Sequence, residues 1–325
     1  FLIMILVTGA TGLVGSNLIL TLAERNIFPI ATYRSDLKKD RVANLFKSKL
    51  KNGKDIFEKI IWRRADIRDF PSLSNAFKNV TKVYHCAGFI SFAFKDNKKL
   101  LEINQKGTRY IVDLCIKNRI KKLIHLSSIS CLGNESNSNI IDENSIWDKN
   151  IDKTPYAYSK YGAEMEVWRG SQEGVNSVIV NPGIVIGMSS PIEKSYKSSN
   201  KFFRFYTSGS NGYVLIQDVI DIMIKLMGSK IKSERFAIVA ENWSAKKLMQ
   251  TLAKVYKKNE RIIKINRRIL ISIWLIEHLL QILGLKKRFF TKGLILSLYN
   301  TKKINGEKIK SYIKFDYTPI KGFIN

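Results

Sequence analysis

Cysteine, histidine and proline are all scarce in this 325-residue chain, which holds three, three and six of them. Cys86, Cys115 and Cys131 make no close pair. An odd set without metal-ligand spacing argues against a disulfide scaffold or a zinc site and fits a reducing, cytoplasmic setting. His85, His125 and His278 form no ligand pattern either, so no metal is expected. Acidic residues are few as well, 27 against 55 basic ones, for a formal net charge of +28. The basic residues are spread over the whole chain and form no block or recognised module. The excess therefore reads as compositional drift, and no nucleic-acid partner is expected. Phe1 to Val7 lacks the cationic start of a signal peptide. Met4 has the look of a natural start, with Phe1 to Ile3 as an upstream extension. No apolar run is long enough to span a bilayer. Ile269–Leu285 comes nearest, but it is short and carries Glu277 and His278. It reads as a helix packed on a small lobe. Its basic flanks, Arg267, Arg268, Lys286, Lys287 and Arg288, keep a peripheral membrane contact as the less favoured alternative.

Hydrophobic residues make up 45% of the chain, enough for one large domain with a smaller lobe. The first half alternates β-branched runs with helical patterns. Met4–Val7, Pro29–Tyr33, Lys59–Arg63, Lys82–Cys86, Leu123–Leu126 and Val175–Val180 read as strands. Leu13–Arg25, Ser72–Asn79, Leu100–Asn118 and Tyr156–Gln172 read as helices. Such alternation predicts an α/β fold, a doubly wound parallel sheet of the Rossmann type. Asn134–Asn139 and Pro191–Ser199 are polar loops. Beyond the second loop the pattern is mostly helical, with a strand at Phe236–Val239. The expected division is a dinucleotide-binding domain over 1–187, joined by about 212–240, and a smaller, mostly helical substrate lobe from 188–211 and 241–325.

The run Val7-Thr8-Gly9-Ala10-Thr11-Gly12-Leu13-Val14-Gly15 follows the first strand and opens the first helix. In that setting Gly9 permits a tight turn, Gly12 lets backbone approach a pyrophosphate, and Gly15 allows close packing of the helix. The helix N-terminus presents free N–H groups to phosphate, so Gly9, Thr11, Gly12, Leu13, Val14 and Gly15 are candidate cofactor contacts. The second strand ends at Tyr33-Arg34-Ser35, where an NAD-selective site usually has an acid. Arg34 suits a 2′-phosphate instead, so NADP(H) is favoured over NAD(H). Lys38, Lys39 and Arg41 add charge nearby.

Tyr156-Ala157-Tyr158-Ser159-Lys160 opens a helix, and a spacing of four puts Tyr156 and Lys160 on one face. A phenol titrates near pH 10, so it needs an ammonium beside it to act as acid and base. Ser128, at the end of the fifth strand, can hold a substrate oxygen next to that phenol.

These pieces resemble an extended short-chain dehydrogenase/reductase, the superfamily of epimerase/dehydratase and dihydroflavonol-reductase-like enzymes. The matching segments are TGATGLVG (8–15), Asp66-Ile67, HCAG (85–88), NQKGT (104–108), SSIS (127–130), YAYSKYGAE (156–164), NPGIVIG (181–187) and GYVLIQDV (212–219). The resemblance implies that Asp66 and Ile67 bracket the adenine and that Ala87 and Gly88 line the cofactor groove. It implies that Asn181, Pro182, Gly183 and Val185 border the nicotinamide. Ser128, Tyr156 and Lys160 form the implied catalytic triad, with Ser130 the alternative serine. Asn104 is implied to tie strands together or support a proton relay. Tyr33-Arg34 and YAYSKYGAE look most similar to the dihydroflavonol-reductase-like subgroup. Met188 stands where the family often has proline.

The expected activity is hydride transfer between NADP(H) and a carbonyl or alcohol of a small-molecule substrate. One rival is a nucleotide-sugar epimerase with tightly bound NAD. The related dehydratases carry an Asp-Glu pair after the catalytic hydroxyl residue, whereas Ile129-Ser130 follow Ser128 here. A non-catalytic, nucleotide-sensing protein is a further rival, against which the intact triad argues. Folds of this type often pair through helices, which leaves a homodimer open.

Overall fold

The computed structural model describes residues 4–133, 139–148, 153–187, 205–255, 262–282 and 291–321. Phe1–Ile3, most of the Asn134–Asn139 loop, Met188, Pro191–Ser199 and the cations Lys286, Lys287 and Arg288 lie outside the described residues. The first strand, β1 (Ile5–Thr8), is buried along its whole length, as befits a strand covered on both faces of a parallel sheet. The glycine loop carries it into α1 (Leu13–Glu24), where nine of twelve residues are buried, making an interior helix.

The chain continues through β2 (Ile30–Tyr33), α2 (Asp36–Lys49), α3 (Gly53–Glu58), β3 (Ile61–Arg64), α4 (Phe70–Ala76) and β4 (Lys82–His85). Next come α5 (Asn97–Leu100), a π-helical turn (Leu101–Lys106), α6 (Gly107–Lys117) and β5 (Lys122–Leu126). A 3-10 turn (Ile129–Cys131) and the short β6 (Ile140–Ile141) precede α7 (Pro155–Gln172) and β7 (Ser177–Pro182). Four helix-forming stretches differ from the sequence reading. Residues 36–58 hold two helices where no helix was expected, because only Val42 and Phe46 of α2 are buried and its charges hide the helical period. Pro71 sits in the first turn of α4 and Pro155 in that of α7, so both helices start earlier than expected. A proline costs nothing there, since its missing N–H has no partner to lose. The single helix expected over 100–118 is broken by the π-helical turn.

The second half supplies β8 (Ile184–Ile186), β9 (Phe205–Tyr206), β10 (Ser210–Leu215), α8 (Ile216–Gly228), β11 (Glu234–Ile238), β12 (Glu241–Ser244) and α9 (Ala245–Val255). It ends with β13 (Ile263–Lys264), α10 (Arg267–Ile282), α11 (Lys292–Leu298), β14 (Lys303–Ile304) and α12 (Lys308–Tyr312). Short strands are thus more frequent here than the helical pattern suggested.

Seven strands form one parallel sheet in the order β11-β7-β5-β4-β1-β2-β3. The order reverses between β1 and β4, and ligands of open α/β sheets bind at the carboxyl ends of the strands at such a switch point. One face of the sheet is covered by α1 and α8, with Leu18, Ile19, Val219 and Met223 all buried. The other is covered by α4, α6 and α7, through Leu73, Ile111, Val112 and Val167. A smaller sheet, β12-β10-β8, packs Tyr213 and Trp243 against Leu248, Leu252 and Ile320. Strand β10 runs straight into α8, which returns to the main sheet, so the two layers are joined through residues 215–216. Among the described residues no helix is long and apolar enough to cross a membrane.

Candidate active site

The glycine loop is shaped by close backbone contacts. Gly9 has φ +67°, and a Cβ there would stand 2.5 Å from the backbone N of Ala87. A Cβ on Gly15 would stand 2.3 Å from the carbonyl O of Gly9. These two glycines therefore hold the loop against the segment after β4 and hold α1 against the loop. Gly12 is different: it is exposed, and its Cβ would meet only Gly9 O, at 3.2 Å. Gly12 N donates to Gly9 O at 2.9 Å, and no side chain caps the start of α1. An exposed, uncapped helix N-terminus with a bare glycine at its mouth fits a dinucleotide pyrophosphate. Thr11 and Leu13 are partly buried beside it. Val14 faces the core, which leaves its backbone N–H as its contribution.

At the far end of the crevice, Arg34 follows β2 with its side chain 52% exposed. Its guanidinium lies 3.7 Å from the Asp66 carboxylate. Asp66 is held more tightly by Arg68, whose Nη2 and Nε donate at 2.7 and 3.1 Å. The Arg68 hydrogen bond holds the Asp66 carboxyl below its ordinary range. Ile67 fits against Gly107, where a Cβ would come within 2.6 Å of it. Gly107, like Gly162 against Gln105, is small because a neighbouring side chain fills its place.

The catalytic candidates converge at the end of β5. Thr154 caps α7, its hydroxyl accepting from Ala157 N. Burial pushes the Tyr156 phenol up to about 12, and the nearby Ser128 hydroxyl opposes that rise. Ser128 is thus the serine beside the phenol, while the Ser130 hydroxyl donates to Ser128 Oγ at 3.0 Å. Phe92 stands edge-on to the Tyr156 ring at 6.1 Å. Lys160, one turn further along α7, is buried and donates to the carbonyl of Leu126 at 2.8 Å. Burial lowers its pKa from the ordinary lysine range. Tyr158 points away from this cluster, 43% exposed and edge-on to Trp147.

Two supporting networks were not legible as such in the sequence. The first lies behind Ser128. Glu164, one turn beyond Lys160, is fully buried and paired with Arg235 at 3.2 Å. Glu164 Oε1 accepts from the Cys131 thiol at 2.8 Å and from Asn181 Nδ2 at 2.5 Å. Asn181 Nδ2 donates to the carbonyl of Ser128 at 2.9 Å, and the Cys131 sulfur lies 2.8 Å from the same carbonyl. The spacing of four from Lys160 was the available signal for Glu164. Pro182 is buried at the end of β7, paired with Ile238, while Val185 of β8 is partly buried and pairs Val214.

The second network runs from the glycine loop to α7. Thr8 Oγ1 bonds His85 Nδ1 at 2.7 Å, and His85 Nε2 bonds Thr108 Oγ1 at 3.0 Å. Thr108 donates to Asn104 O at 2.5 Å. Asn104 donates to Ser159 Oγ at 2.8 Å, and Ser159 donates to Tyr156 O at 2.8 Å. Asn104 also takes both backbone groups of Phe89, at 2.7 and 2.9 Å. It therefore ties the loop after Gly88 to α7, not strand to strand, and the π-helical turn that carries it accompanies this inward aim. Burial pushes His85 down to about 3 and His125 well below its ordinary value, and Lys160 adds to both shifts. The two imidazoles lie tilted at 39° to each other with centroids 5.0 Å apart.

The family model for the NAD dependent epimerase/dehydratase family matches residues 5–233. Sterol demethylase protein B of Methylococcus capsulatus is 25% identical over 296 residues, covering 88% of this chain and 83% of that protein. Cinnamoyl-CoA reductase 1 of Arabidopsis thaliana is 26% identical over 267 residues, covering 77% and 74%. The crystal structure of gox2253 matches with a TM-score of 0.82 at 22% identity, over 99% of this chain and 95% of that one. Its likeness concerns the fold. The glycine loop, the Ser128–Tyr156–Lys160 cluster and the family match all fall within the same stretch, and the chain belongs to the NAD dependent epimerase/dehydratase family, as an NAD(P)-dependent oxidoreductase of the extended short-chain type.

Proposed function

We propose that this protein is an NADP(H)-dependent reductase of a carbonyl on a small-molecule substrate. The observation that carries the reading is the gathering of the Tyr156 phenol, Ser128 and a buried Lys160 at the end of β5, where Lys160 donates to the carbonyl of Leu126. With burial pushing it up to about 12, the phenol is protonated at neutral pH and suited to giving a proton to a developing alkoxide. Ser128 holds that oxygen, its own hydroxyl receiving the Ser130 proton. Lys160 places a positive charge beneath the phenol and favours the phenolate left after proton transfer. The glycine loop and the uncapped start of α1 hold the pyrophosphate, and Arg34 takes the 2′-phosphate. Asp66 and Ile67 flank the adenine, Ala87 and Gly88 line the groove, and Pro182 and Val185 border the nicotinamide. When bound, the reduced nicotinamide supplies the hydride to the carbonyl carbon. The name of the related cinnamoyl-CoA reductase supports the reductive direction.

The test is Tyr156→Phe, which keeps the ring and removes only the hydroxyl. Turnover should fall by about 10²–10⁴ with cofactor affinity nearly unchanged, the usual share of a general acid. Wild-type turnover in this variant would overturn the mechanism.

A further inference from the structure

Helix α10 carries an apolar stripe that faces away from the rest of the described protein. Ile269, Ile273, Ile276 and Leu279 recur at helical spacing, with 54%, 38%, 57% and 60% of their surface exposed. Leu275 beside them is 48% exposed. A helix of a globular protein normally turns such a stripe to the core. The other side of α10 is seated: Leu270 and Glu277 are buried, and Trp274 lies parallel to the His278 ring with centroids 5.9 Å apart. Contiguous exposed apolar surface of this kind marks an interaction site. Its charge is equally one-sided. Lys264, Arg267 and Arg268 are exposed at the N-terminal end, and Arg268 stands on the stripe's own face, seven residues before Leu275. The one carboxylate of α10, Glu277, is buried.

We infer that α10 docks on an anionic lipid surface. The isoleucine and leucine stripe enters the boundary between headgroups and acyl chains, and Arg267, Arg268 and Lys264 meet the lipid phosphates. The helix is not long and apolar enough to cross a bilayer, and an amphipathic helix with cations and bulky aliphatics lies in the interface plane. A second copy of the chain fits the charge badly. A two-fold pair through α10 would bring the same cations toward their own images, in a molecule of net charge +28. Anionic headgroups are the complementary surface.

The test is co-sedimentation of the full chain with phosphatidylcholine vesicles, with and without phosphatidylglycerol. Wild type should pellet with the phosphatidylglycerol vesicles, much less with phosphatidylcholine alone, and less again as salt is raised. Ile273→Glu/Ile276→Glu should abolish binding. Arg267→Gln/Arg268→Gln should weaken it by on the order of tenfold or more. Both variants change exposed positions, and an unchanged thermal midpoint reports an intact fold for each. Wild type that ignores vesicles, or binds both kinds equally, overturns the inference. So does an isoleucine variant that binds as wild type does. Gel filtration showing a dimer that the isoleucine variant splits, without vesicle binding, would give the face to a second copy and overturn it as well.

Discussion

Tyr156 and Lys160 could be read from the sequence because four residues along one helix place them together whatever the rest of the chain does. Glu164 repeats that spacing, yet its role depends on Arg235, 71 residues away, and on a thiol and an amide that only the fold brings to it. His85 and His125 were silent for the same reason, because lacking a ligand pattern says nothing of burial, or of the hydrogen-bond chain that runs through His85. Their burial has a measurable consequence. Both imidazoles titrate below their ordinary 6.5 in the folded protein. Between the two values the unfolded chain binds more protons, so stability present at neutral pH is lost as pH falls below about 6.5, by up to about 1.4 kcal/mol per histidine per pH unit. His125→Leu should flatten this acid limb in urea unfolding followed from about pH 7 to about pH 5; a slope equal to wild type would contradict it. Arg34 makes a separate prediction. Its ion pair with Asp66 is long and exposed, so it costs little to give up. A guanidinium–phosphate bond contributes about 1.5–3 kcal/mol, roughly tenfold to a hundredfold in affinity. Arg34→Ala should weaken NADPH by that factor and leave NADH almost unchanged in calorimetry. A wild type that prefers NADH would remove the argument.

Among the elements, the strands and helices that build the central sheet were legible where apolar residues repeat without interruption, as in β1 and α1. Helix α2 escaped because most of its surface is solvated, and β8, β10 and β12 escaped because short strands that pair far along the chain leave little local pattern. The glycine loop separates packing from binding. Gly15→Ala drives a Cβ onto Gly9 O and should cost about 1–3 kcal/mol of stability along with cofactor affinity. The Cβ that Gly12→Val adds would meet only Gly9 O, at 3.2 Å. The variant should spare the thermal midpoint and raise the cofactor Kd by on the order of tenfold or more, because a branched side chain there keeps the pyrophosphate from the backbone. Unchanged affinity by calorimetry would take Gly12 out of the site. The Glu164–Arg235 pair joins α7 to β11 behind the serine turn. Breaking one partner strands a buried charge, so Glu164→Ala should destabilise by about 3–5 kcal/mol. Glu164→Gln/Arg235→Met should cost less than Glu164→Ala, as read in denaturant unfolding. If the double variant is the less stable of the two, the pair is not what holds that junction.

For the molecule as a whole, the order of the seven strands puts the glycine loop, the segment after β4 and the end of β5 on one rim of the sheet. Two hydrogen-bonded chains then brace that rim: Thr8 through His85 and Asn104 to Tyr156, and Arg235 through Glu164 to Ser128. The candidate site was readable from motifs because each motif is local, whereas the bracing was not, because each link crosses between elements. This rim serves net reduction when a proton donor and a hydride act on one carbonyl, and it serves epimerisation when the nicotinamide returns unchanged. The most direct measurement follows the absorbance of added NADPH while the purified protein is offered a panel of ketones, aldehydes and nucleotide sugars. The account predicts stoichiometric loss of reduced nicotinamide with formation of an alcohol from at least one ketone or aldehyde, abolished by Tyr156→Phe. Interconversion of a nucleotide sugar with no net change in added NADPH, by a protein that carries its own tightly bound NAD, would contradict it.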